Sequence, residues 1–197
     1  PAYYVFTTGS VGYAILGAFL GFILAFVTIF KRKWAQYTVP AYSVAQGCAL
    51  GGISYYYNQA YDGIVLQSIS LTVCILFSLL FAYRSKIIRA TENFKLGLFA
   101  AMGGIILLYV VNFIMSFFGS GISLLDINNS SNLSIGLSLF IVVIASLNLV
   151  IDFDFIEEGS EKGAPKYMEW YGAFGLLVTL IWLYLEILRM LAKIKNR

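Results

Sequence analysis

Residues 133–155 read LSIGLSLFIVVIASLNLVIDFDF. About twenty predominantly apolar residues is the length that carries an α-helix across roughly 30 Å of hydrocarbon. The run is continuous and does not alternate, so it reads as a helix rather than a barrel strand, the two forms that satisfy their backbone in lipid. It closes on Asp152 and Asp154. A carboxylate in or near hydrocarbon costs several kcal/mol unless it is paired, protonated or wetted, and by default it marks a pathway or a sensor.

Five further stretches of the same kind lie at about 9–30, 37–57, 63–83, 96–118 and 167–192. The whole chain of 197 residues is 60% hydrophobic and only 12% charged, with a mean hydropathy of +0.83. Soluble domains carry about twice that charged fraction to cover their surface. The expected fold is therefore all-α: a polytopic transmembrane helical bundle with six visible spans, forming one domain over residues 1–197. Cys48 and Cys74 fall inside apolar stretches as small filler, without C-x-x-C or metal spacing. Histidine is absent, which leaves carboxylates to provide any response near neutral pH and removes histidine-ligated metal chemistry. No cofactor and no nucleic-acid partner is expected. The chain opens on Pro1, with no basic n-region or cleavage site, so a missing upstream segment is expected.

Orientation follows the basic loops. Lys31-Arg32-Lys33 carries +3, and Arg84, Lys86, Arg89 and Lys95 less Glu92 again give +3. Both loops are expected on the cytoplasmic side, with the Lys- and Arg-free loops at 58–62 and 119–132 facing away. Two features oppose this assignment: the acidic turn at 156–166, and the tail residues Lys193, Lys195 and Arg197 on the outer side. Gly17-x-x-x-Gly21 and Gly47-x-x-x-Gly51 mark close helix contacts inside the bundle. Asn112, Asn148, Gln46 and Gln67 are expected to bond between helices, while Trp34, Trp170 and Tyr55-Tyr56-Tyr57 suit the interface.

Three acids need an account. Asp154 stands where a helix end reaches the headgroups, so solvation competes with function there. Asp152 directly follows Leu149-Val150-Ile151 and lies deeper. Two residues apart, they point to different helix faces and cannot pair with each other. Glu186 sits within Trp182 to Leu188, with Arg189 three residues on. A self-contained Glu186–Arg189 pair competes with a functional acid at that position. No G-x-S-x-G, H-E-x-x-H or Walker sequence is present, and an enzyme is not expected.

The last two spans resemble the Bax inhibitor-1 family, the transmembrane Bax inhibitor motif proteins, and more narrowly their bacterial YccA-like branch. The likeness is carried by residues 146–159, SLNLVIDFDFIEEG, then Gly163-Ala164-Pro165, Glu169-Trp170-Tyr171, and residues 182–189, WLYLEILR. It implies a seven-helix bundle with a central helix wrapped by the others, the first helix being absent here. It also implies a proton-sensitive calcium leak, gated by two carboxylates on the last two helices with a basic residue nearby. Asp152 matches the first carboxylate. For the second, aligning Leu183-Tyr184-Leu185-Glu186 selects Glu186, whereas aligning the closing Leu188-Arg189 puts Thr179 there.

Depth separates these alternatives. Asp152 lies about seven residues before Gly159, roughly 10 Å along the helix, and Glu186 lies about 21 residues beyond Pro165, roughly 30 Å. Direct pairing across an antiparallel hairpin is not expected. Thr179 is nearer in depth but carries no charge. Glu169 is a depth-matched partner for Asp152 or Asp154, and Lys31, Arg32 or Lys33 at the same face is another. The functional expectation is a bacterial cytoplasmic-membrane protein passing calcium or another cation under proton control. The alternative is a non-transporting regulator that restrains other membrane proteins, such as a membrane protease.

Overall fold

The computed structural model describes residues 2–9, 11–119 and 121–197. Ser120 of the expected 119–132 loop and the opening Pro1 lie outside the described residues. Seven α-helices and two single 3-10 turns make up the described chain, with no strand among them. They are α1 (Ala2–Thr8), α2 (Val11–Phe30), α3 (Ala35–Ala60), α4 (Ile64–Arg84), α5 (Glu92–Phe117), α6 (Asn132–Glu161) and α7 (Tyr167–Lys195).

Five of these, α2, α4, α5, α6 and α7, are long and apolar enough to cross a membrane, where six spans were expected. The exception is α3. Its 26 residues are long enough, but Thr38, Pro40, Ser43, Gln46 and its glycines dilute the apolar content. Those small and hydroxyl-bearing residues serve packing instead. The first stretch is α2, and a short α1 precedes it, closed by Gly9 at φ +61°; Ser10 lies outside the described residues.

Local chemistry sets the helix ends. Thr91 caps α5, its hydroxyl accepting the Phe94 amide at 3.3 Å, with Glu92 against the positive end of the helix dipole. The Ser131 hydroxyl accepts from Ser134 at the start of α6. Helix α6 ends where Gly163 takes φ +62° and the Ala164 amide returns to the Gly159 carbonyl at 2.9 Å, and Pro165 follows. The fifth stretch therefore continues as helix to Glu161, beyond the expected end near 155.

The chain forms two compact units. One comprises Pro1–Val65 and Phe155–Val178. In it α2 and α3 approach almost backbone to backbone: a Cβ on Gly17 would stand 2.5 Å from the Ala45 carbonyl oxygen, and one on Gly21 3.1 Å from Gln46. Gly51 is likewise held against the Ala2 carbonyl. Lipid gives helices no hydrophobic reason to associate, so such close approach and interhelical hydrogen bonds hold them together. The buried Thr28 hydroxyl donates to that of Thr38 at 2.7 Å, a bond worth about 0.6 kcal/mol in such bundles. The Tyr42 and Phe174 rings meet edge to face at 5.1 Å.

The second unit comprises Leu66–Asp154 and Thr179–Arg197. Leu98 and Ile105 of α5 pack with Ile141 and Ile144 of α6, joined by Leu137, Ile151 and Trp182. Burial is unequal: 44% of the α6 span and 39% of the α7 span are buried, against 11–17% for α2, α4 and α5. The last three present Phe19, Phe22, Phe26, Phe77, Phe99 and Phe113 outward. Apolar surface on that scale suits lipid and not water.

Candidate functional site

Asp152 lies on α6 within the second unit, below the buried Leu149 and Val150. Its carboxylate accepts a hydrogen bond from the side chain of Thr179 on α7, itself only 4% exposed. The other oxygen, Oδ2, is buried with no partner among the described residues. Buried acceptors are nearly always satisfied, so such an orphan asks for a water, an ion or a proton. Where the resemblance implied a second carboxylate, Asp152 meets a hydroxyl.

Two residues on, Asp154 faces elsewhere, as the helical turn requires. Lys95 from the first turn of α5 approaches its Oδ2 at 2.7 Å, and Tyr83 from the end of α4 donates to its Oδ1 at 3.3 Å. Between the two acids Phe153 is buried and packs on the Tyr83 ring at 5.9 Å. Asp154 is thus a tie between three helices. Neither Lys95 nor Tyr83 stood out in sequence. Lys95 read as part of the basic loop before the fourth span, but its place in the first turn of α5 brings it to Asp154.

Glu186 is 3% exposed and well supplied with donors. Tyr109 donates to its Oε1 at 2.8 Å, Trp182 Nε1 at 3.2 Å, and Arg189 reaches both oxygens at 3.3 Å. Arg189 also donates to the Tyr109 hydroxyl at 2.6 Å, its guanidinium 5.4 Å from that ring's centre. The Glu186–Arg189 pair extends into a network that also takes in Tyr109 and Trp182. Tyr109, the polar member from α5, was missed because one tyrosine in an apolar helix has no distinctive spacing.

Other expected participants belong to the first unit. Glu169 is exposed in the first turn of α7, where with Phe155, Ile156, Glu158, Pro165 and Met168 it lines a hollow at the α6–α7 turn. Lys31 sits 4.4 Å over the Trp34 ring and Arg32 5.2 Å over that of Tyr171; Lys33 is exposed. Asn112 differs from the expected helix-to-helix bond: its Oδ1 accepts the Ile122 amide of the following loop at 2.7 Å.

A family model described as Bax inhibitor 1 like matches residues 2–196. No curated protein and no solved structure matches. That match takes in nearly the whole sequence, including the segment with Asp152, Asp154 and Glu186, and the chain accordingly belongs to the Bax inhibitor-1 family.

Proposed function

We propose that the protein is a cation leak, passing calcium or another cation under proton control, with Asp152 as the group that senses the proton. One observation carries this reading: the buried Oδ2 of Asp152, an acceptor without a donor among the described residues, on the span with the largest buried share. Thr179 supports one oxygen of the ionised carboxylate and leaves the other to a cation or a proton. Loading that oxygen with a proton removes the negative charge that would hold the cation. Flux is therefore carried by the ionised form and falls as pH drops. Because the neighbour is a hydroxyl, one proton governs the switch; a shared-proton pair of acids would titrate in two steps. Asp154, tied to Lys95, and Glu186, tied to Arg189, hold the surrounding helices and do not gate.

On the residues that carry the family likeness, we assign the chain to the bacterial YccA-like branch and its site of action to the bacterial cytoplasmic membrane. The test is calcium flux into liposomes containing the purified protein, followed across pH. Wild type is expected to give flux that falls with acidification along a single-proton curve, and Asp152→Asn is expected to flatten it. A pH profile left unchanged by Asp152→Asn rejects the gate. Absence of any flux in wild type favours instead a regulator that binds other membrane proteins.

A further inference from the structure

Thr179, Trp182, Glu186, Arg189 and Lys193 follow one another at steps of three and four residues, so they share one face of α7. The stripe runs about 21 Å, from the hydroxyl beside Asp152 to the last turn of the helix. Its final member is unusual. Lys193 is 0% exposed, although it stands in the last turn of its helix. Lysines at helix ends ordinarily extend their ammonium to water.

The Lys193 Nζ donates instead to the Leu124 carbonyl at 2.9 Å and to the Ser138 hydroxyl at 3.0 Å. Glu186 and Arg189 of its own helix and Asp126 of the α5–α6 loop are the charged groups around it. None of the ion pairs among the described residues includes it. Two neutral oxygens take the place of water around this amino group. A main-chain carbonyl and hydroxyls are also the oxygen types from which cation sites and channel filters are built.

The loop that carries this carbonyl is held from three helices. Leu124's carbonyl also accepts from Ser134 of α6 at 2.8 Å, and Asn112 of α5 holds the Ile122 amide. We infer that Lys193 is a tethered cation: its ammonium fills an oxygen-lined position at the end of the α7 stripe and latches residues 121–131 over it. The latch follows from the contacts alone. That it also blocks a path rests on the cation-leak reading above.

Lys193→Met keeps the apolar stem and removes the ammonium. Amide hydrogen exchange across residues 121–131 is expected to quicken about tenfold or more, as loss of a charged hydrogen bond to the loop implies. Calcium and potassium flux in liposomes is expected to rise several-fold at every pH. Ser134→Ala, which removes the other donor to the same carbonyl, is expected to act in the same direction with a smaller effect, and serves if Lys193→Met does not fold. Unchanged exchange in a folded variant overturns the latch. Faster exchange with unaltered flux, in a background where wild type conducts, overturns the plug. If no variant and no wild type conducts, the cation-leak reading falls and the plug with it, while the exchange result still decides the latch.

Discussion

Glu186 and Asp152 are carboxylates of the same unit, on neighbouring stretches of the two most buried helices, yet their surroundings differ sharply. Glu186 receives Tyr109, Trp182 and Arg189. Asp152 receives Thr179 and keeps a buried oxygen with no donor among the described residues. Depth in hydrocarbon alone, then, does not separate the two acids; the number of donors around each does. An acid whose oxygens are all engaged has nothing left to offer an ion, and removing it strands its partners.

The largest effect that would sharpen this contrast is at Glu186. Replacement by alanine leaves Arg189 and the buried polar ends of Tyr109 and Trp182 without their acceptor, and is expected to cost about 3 kcal/mol. Denaturant or thermal unfolding in detergent reads this, while the pH dependence of flux in whatever folded protein remains should keep its wild-type shape. A loss below about 0.5 kcal/mol would mean that Glu186 is not structural, and the contrast would break.

Lys95→Met comes next. Lys95 and Asp154 are 24% and 25% exposed, so their ion pair is partly screened and worth about 1 kcal/mol. The same unfolding measurement should show that loss shrinking as salt is added. The smallest term is the coupling between Asp152 and Thr179. A double-mutant cycle with Asp152→Asn and Thr179→Val is expected to give about 1 kcal/mol or less, the value of one hydrogen bond. Coupling indistinguishable from zero would remove Thr179 from the site and leave Asp152 without a partner.

Much of this was legible from residue order. Continuous apolar runs of spanning length led to an expectation of six spans, five of which are helices long and apolar enough to cross a membrane, and Asp152 stood out because it follows Leu149-Val150-Ile151. Helix α3 was harder, since glycines and hydroxyls in a moderately apolar run leave open whether a helix faces lipid or backbone; Gly17 against Ala45 supplies the answer. The partners of the acids were harder still. Lys95 reads as part of the basic loop before the fourth span, and Lys193 as part of the basic tail. Only the folded chain puts one on Asp154 and the other under a loop carbonyl.

The Thr91 cap has a consequence for how this family member can change. Because the hydroxyl on the Phe94 amide fixes where the first turn of α5 starts, Lys95 is indexed to Thr91 and not to the segment ahead of it. Residues gained or lost before Thr91 alter only the slack between α4 and α5. A single residue gained between Thr91 and Lys95 would swing the ammonium by about 100° around the helix axis and away from Asp154. Length is thus free to drift on one side of the threonine and held constant on the other.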